Sequence, residues 1–548
     1  MSPRELTDRL SKALLQRRVS EGFALLNRNE KLLRGIGSNT AESAALVLSL
    51  ALWVDLGYRD VAVVDQALVN FPQDLRRRMP FYEFLLLRMA EAFCAMAREE
   101  SDKTIALLDF VLKAQPELGE KRLIAIAHFW KGRSHRKKGE YDLALADIIA
   151  ARELMEEIGA PKLAAVIRIQ ESWLWFQKGR SAEALHILDQ AEQQLSNTDD
   201  WLSLGNIESA RGRIVRQIGK YTEALDHFDR AVKTYTRRDP NHRNLARALV
   251  NAAYVRRLLA LHLRKRIDAR ARQASRREAS IRVAGFQKRF NEMCQLALQD
   301  LKRAGEIYAL HQHYGGTGSV LVNTGYLHLD EGGIDVAAGE ALQAYRLARD
   351  KNDHILMARA RILQAAAENA HVDEQLGEDA DAAVHANTAR QYSDEAISVA
   401  RQTQNRLLIA EAHLVLGATA ANEFFQDWEE AKRCVAAASE LLSADDRDHV
   451  WEELLLLKSR ILRASGIDET LRAWSEGMVG DKTFQQVTEE FAEIVIPKVW
   501  VREGKKVSRV AERLSVSPKK VRRILRNAGL IDRSQGGKTS TTARRDYA

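Results

Sequence analysis

The chain has 548 residues, enough for several domains or one long repeat array. With 46% hydrophobic and 29% charged residues, the composition excludes wholesale disorder, and no run of eighteen apolar residues marks a membrane span. The formal charge is +8, yet most of it sits in two short segments, so a uniformly basic surface is excluded as well.

Only 8 prolines interrupt a sequence rich in Ala, Leu, Glu, Arg and Gln, which predicts helix almost throughout. The first residues, Met1 to Arg18, mix acids and bases and lack an apolar signal core. Cys94, Cys294 and Cys434 are far apart and form no CxxC pair, so they read as buried thiols of a reducing compartment.

Residues 1–40 are expected to form an N-terminal helical cap. From residue 41 an internal repeat organises the chain. Gly132, Gly139, Tyr141, Ala144 and Ala151 recur 80 residues later as Gly212, Gly219, Tyr221, Ala224 and Ala231. Halfway between lie Ser172, Gly179, Ser181, Ala184 and Ala191, so the period is 40 residues. A small residue inside a first helix lets a second helix approach. A glycine seven residues on ends the first helix at low conformational cost. Two alanines seven apart line the second helix. Such hairpins cannot bury their apolar faces singly and must stack.

The pattern Gly212, Gly219, Tyr221, Ala224, Phe228 and Ala231 resembles the tetratricopeptide repeat family, although the period departs from that family's 34 residues. Weaker copies carry roughly eight hairpins across about 41 to 445, within an array placed at 41–464. The resemblance implies a concave face of first helices that binds a peptide or partner protein. With the small residue as position 8, the implied groove positions fall at Arg133, Arg136, Trp173, Arg213, Arg216 and Arg256. A cationic groove with one aromatic suits an acidic or C-terminal carboxylate peptide. Pairing of these arginines with neighbouring acids remains the alternative.

Two insertions interrupt the array. From Arg256 to Arg289 there are 12 Lys/Arg against Asp268 and Glu278. This predicts a basic helical arm over 260–290. The segment 368–385 carries Glu368, Asp373, Glu374, Glu378, Asp379 and Asp381 without a Lys or Arg between them, which predicts an acidic loop. A solvated surface is the alternative for the basic arm and the favoured reading of the acidic segment.

A glycine-bearing linker is expected at 465–484 and a compact module at 485–530. In a twenty-residue frame from Val507 to Arg526, Val510, Leu514, Val516, Val521 and Ile524 occupy the five apolar positions, Ala511 the small one and Ser515 the turn. Ser517 caps the next helix and Pro518 opens it. Lys519, Lys520, Arg522, Arg523 and Arg526 then project outward, suited to guanine edges and phosphates. Lys505, Lys506 and Arg509 are placed against the backbone.

Residues 486 to 530 resemble the Fis-type helix-turn-helix of bacterial activators. Pro497 within the first helix is a departure that predicts a kink. The resemblance implies double-stranded DNA as partner, a homodimer, and a bacterial cytoplasmic or nucleoid location; the sequence itself does not show dimerisation. The tail 531–548 is rich in Gly, Ser, Thr and Arg and is expected to be disordered.

The fold class expected is all-α: a tetratricopeptide-like hairpin solenoid followed by a small helix-turn-helix domain. No GxSxG, HExxH or dinucleotide fingerprint occurs, so neither an enzyme nor a cofactor is implied. Three functions remain open. One is a DNA-binding regulator whose array binds a peptide or protein. Another is a scaffold or adaptor whose C-terminal module docks protein. The third is an RNA-binding protein using the basic arm.

Overall fold

The computed structural model describes residues 1–36, 41–273, 278–374, 379–464, 474, 477 and 479–531, and every described segment with regular structure is helical. The chain divides into two compact units, Met1–Lys458 and Ser459–Ala548. The larger opens with α1 (Pro3–Leu15), α2 (Val19–Arg28), α3 (Glu30–Arg34), α4 (Ala41–Asp55), α5 (Ala62–Val69) and α6 (Gln73–Arg76). Paired helices follow: α7 (Phe81–Ala97) with α8 (Ser101–Lys113), then, after the short α9 (Gln115–Leu118), α10 (Lys121–Lys138) with α11 (Tyr141–Glu157). The series continues as α12 (Pro161–Gln177) with α13 (Ser181–Leu195), α14 (Trp201–Gln217) with α15 (Tyr221–Arg238), and α16 (Arg243–Gln273) with α17 (Glu278–Leu310). The last pairs are α18 (Tyr314–Asp330) with α19 (Ile334–Asp350), α20 (His354–Glu374) with α21 (Asp379–Ala400), and α22 (Arg406–Ala420) with α23 (Trp428–Leu441). Helix α24 (His449–Ala464) crosses the border between the units.

The hairpin pattern follows from the residues that define the period. Gly139, Gly179 and Gly219 end α10, α12 and α14 at φ 82°, 80° and 81°, a left-handed conformation that costs other residues about 1–2 kcal/mol. A Cβ at Gly132 would stand 2.9 Å from Ile148, and one at Gly212 would stand 2.8 Å from Phe228. Each glycine therefore sets the distance of a first helix from its own partner.

Helices α16 and α17 run 31 and 33 residues, against 17 and 18 for α14 and α15. The extra length falls where the sequence places the basic arm, whose central side chains lie outside the described residues. The acidic segment is corrected. Helix occupies 368–374 and 379–385, not loop, and Glu368 accepts from His385 Nδ1 at 2.6 Å. The α20–α21 pair places Asp373, Glu374 and Asp381 on exposed helix surface. Residues 375–378, most of the 465–484 linker and the tail from 532 lie outside the described residues.

Loops far apart in sequence meet along the inner edge of the larger unit. Gln404 N donates to Gly139 O at 2.8 Å, and Arg447 N donates to Gln217 O at 2.8 Å. Arg406 Nε donates to Gln177 O at 3.0 Å. At the other end Arg17 pairs with Asp200 at 2.6 Å, both side chains being buried. These contacts join distant parts of the array beside a cavity.

The smaller unit holds α25 (Phe484–Arg502), α26 (Val507–Arg513) and α27 (Pro518–Asn527). Thr483 and Gln486 form a capping box at the start of α25, which continues through Pro497. Among the described residues no helix is long and apolar enough to cross a membrane.

A candidate ligand cavity and a candidate nucleic-acid interface

The cavity of the larger unit measures about 1230 Å³. Its walls come mainly from α4, α7, α10, α12, α14 and α16, with Tyr308 and Leu310 of α17, Ile355 of α20 and the connections at 239–242 and 311–313. Apolar walls include Phe129, Trp130, Val166, Ile167 and Ile355; polar ones include Gln170, Asn206 and Asn405.

The six groove residues expected from the repeat separate into three groups. Arg136 and Trp173 line the cavity together, with the guanidinium 4.9 Å from the indole, which itself packs edge-on to Tyr141. Arg136 Nε is buried without a hydrogen-bond partner. Burial, then the charges of Arg247 and Arg133, push its pKa down to about 10. Arg213 lies beside this group, its Nε also buried and unpartnered. Burial and the charges of Arg247, Arg136 and Arg216 hold its pKa well below the ordinary value. Arg216 packs over the Tyr254 ring at 4.9 Å.

Arg133 lines the cavity but is neutralised: its Nη1 donates to both carboxylate oxygens of Asp55, at 2.9 and 2.7 Å. Arg256 is a correction. It pairs with Asp300 and, at 3.2 Å, with Asp229, on the second helices α17 and α15. The expected register was one residue out. Ala253, not Ala252, packs with Phe290, Cys294 and Ala297 of α17, while Ala252 packs with Val215 and Phe228 of the preceding hairpin. One residue turns a helix face by about 100°. Position 256 therefore leaves the inner face, and Arg247 takes the place that Asn206 holds one repeat earlier.

Arg247 and Arg243 are cavity residues that sequence reasoning missed. Arg247 Nη2 donates to Asn206 Oδ1 at 2.8 Å, an acceptor shared with Asn244 Nδ2 at 3.0 Å and the Tyr235 hydroxyl at 2.9 Å. Arg243 donates to a backbone carbonyl, Ala97 O at 3.4 Å, and feels Asp55, Glu99 and Asp60 without pairing with them. Among the described residues no carboxylate pairs with Arg136, Arg213, Arg243 or Arg247. A 41-residue step into α16 carries the expected groove positions to Val250, Tyr254 and Arg257, so no count along the repeat reaches either arginine.

The smaller unit has its own core of Ile496, Trp500, Val510, Ala511, Val521, Ile524 and Leu525, with Leu514 and Val516 against it. All five apolar frame positions thus face one cluster. Ser517 Oγ accepts from Lys520 N at 3.2 Å and caps α27. Ser515, the turn residue, has φ 51°. Ser517, Lys519, Arg522 and Arg526 are exposed on α27, and Lys505, Lys506 and Arg509 are exposed before it and on α26. Lys520 and Arg523 instead pair with Glu489 of α25, Lys520 at 3.0 Å. Neither unit gathers metal ligands: no group of three or more His, Cys, Asp or Glu suited to a metal ion occurs among the described residues.

No protein-family model matches the chain. No curated protein matches it either. Among solved structures it is similar to a Rap protein complexed with competence and sporulation factor, at 14% identity and TM-score 0.48, covering 77% of this chain and 99% of that one. It is similar to the apo quorum sensor NprR from B. thuringiensis, at 13% identity and TM-score 0.38, covering 80% and 98%. A human IFIT1 dimer with m7Gppp-AAAA is matched at 13% identity and TM-score 0.41, covering 80% and 90%.

Proposed function

We propose that this chain is a DNA-binding transcriptional regulator whose repeat array binds a peptide or protein segment in its cavity. The observation that carries the reading is the group Arg136, Arg213 and Arg247, held at or beside an aromatic-walled cavity with no carboxylate partner among the described residues. Uncompensated buried charge is unfavourable, and a structure that keeps it gains on binding an anion. The second part of the reading rests on the exposed Lys519, Arg522 and Arg526 of α27, led by a capped N-terminus. Dimerisation on two half-sites belongs to the same reading.

A salt titration of full-length protein on random duplex DNA tests it, beside a variant with Lys519, Lys520, Arg522, Arg523 and Arg526 changed to alanine. Wild type is expected to bind with a steep salt slope, and the variant to lose that slope. Equal binding by both would move DNA contact to the basic arm. Binding by neither would favour the adaptor reading, to which the pairing of Lys520 and Arg523 with Glu489 already lends support.

A further inference from the structure

The cavity cations fall into two classes by what holds them. Arg17, Arg98, Arg133 and Lys137 each meet a carboxylate, from Asp200, Asp65, Asp55 and Glu99 respectively. Arg136 and Arg247 are held by neutral groups, an indole face and an amide oxygen, while Arg243 reaches a peptide carbonyl and feels Asp55, Glu99 and Asp60 without pairing with any of them. Neutral holds fix a guanidinium's direction and leave its charge in place. Asn206 shows the point best. An aspartate there would accept the same hydrogen bonds and cancel the charge of Arg247. Arg136, Arg243 and Arg247 are half-buried residues of the cavity lining.

The number of uncancelled charges limits the ligand. A single carboxylate brings one negative charge, which leaves guanidiniums repelling one another where water screens poorly. A phosphate monoester brings about −1.5 to −2 charges and three acceptor oxygens, enough to meet three planar forks at once. We propose that Arg136 and Arg247, with Arg213 behind them and Arg243 beside them, anchor a phosphate monoester dianion. This rests on the cavity being the ligand site of the array. Small-molecule sites usually span roughly 300–1,000 Å³. At about 1230 Å³, the cavity has room for more than the phosphate. The body of the ligand lies against Phe129, Val166, Ile167 and Ile355. It is either a phosphorylated side chain of a peptide or a free phosphorylated metabolite.

Hydrogen exchange of the full chain tests this, with phenyl phosphate and benzoate compared at equal ionic strength. Phenyl phosphate is expected to protect segments 126–141, 203–217 and 243–255 at a concentration at least about tenfold below benzoate. The advantage should shrink several-fold from pH 7 to pH 5, because the second phosphate proton binds near pH 6. The double variant R136Q/R247Q should lose the protection, with an unchanged melting temperature showing that it folds. R256Q, altered away from the cavity, should keep the protection. Equal potency of benzoate overturns the phosphate assignment and leaves the cavity as a ligand site. Protection by neither, or confined to 505–527, overturns both. A pool of phosphoserine peptides separates the sources: half-saturation below that of phenyl phosphate identifies a peptide, and no gain identifies a small metabolite.

Discussion

His313 and His242 show how single buried side chains tie this array to pH. His313 Nδ1 accepts from Gly316 N at 2.9 Å and caps α18, a role open only to the unprotonated ring nitrogen. Burial, then the nearby lysine and arginine, hold its pKa down to about 4 against the opposing pull of Glu99, and burial with Arg243 holds His242 down to about 3. Both folded values lie below the ordinary histidine range, so the unfolded chain binds more protons between them. The stability contributed is present above about pH 6.5 and is lost as pH falls towards 4, at up to about 1.4 kcal/mol per pH unit for each histidine. His313→Asn keeps a capping acceptor and removes one titration. Denaturation midpoints between pH 7.5 and 5 should therefore show a shallower acid slope with little change at pH 7.5; an unchanged slope would refute the assignment. The turn residue Ser515, at φ 51°, gives a second case. Ser515→Gly relieves a left-handed strain of about 1 kcal/mol. Amide exchange across 507–530 in the full chain should slow about fivefold, and faster exchange would contradict it.

Helix α25 does more than complete the small core. Its Glu489 holds Lys520 and Arg523, two of the five cations on α27. If α27 meets DNA phosphates, Glu489→Gln should release both side chains. The log–log salt slope for duplex binding should then steepen by roughly 1 to 2, since each phosphate contact contributes about 0.9. An identical slope would mean that the two pairs do not compete with phosphate. The fate of Arg256 is also decided by a whole element. The one-residue advance of α16 turns position 256 towards Asp229 and Asp300, and brings Arg247 inward.

The larger unit as a whole depends on contacts that join its distant parts. Arg17 and Asp200 form a buried pair, and Asp200 also caps α14 by accepting from Ser203 N at 3.0 Å. Arg17→Met would leave that carboxylate buried and uncompensated, a loss of about 3–5 kcal/mol. Urea unfolding of the full chain, followed by far-ultraviolet circular dichroism, should show an early loss of the array's helix; a shift under 1 kcal/mol would mean that water replaces Arg17.

The sequence by itself determined the helical hairpins, their 40-residue period and the frame of the C-terminal module. Those depend on local requirements: a glycine where φ turns positive, a small residue where helices touch, apolar side chains on one face. Arg136 and Trp173 stand on the cavity wall at positions the period marks, because it holds from α10 to α12. Only the tertiary structure decided which arginines remain uncancelled. Asp55 reaches Arg133 across 78 positions, Asp200 reaches Arg17 across 183, and Gln404 meets Gly139 across the inner edge. Pairings at such separations follow from how the array curves, which no short-range spacing specifies. The same contacts set Arg243 and Arg247 of α16 into the cavity wall, while Arg256, which the period alone had selected, meets Asp229 and Asp300.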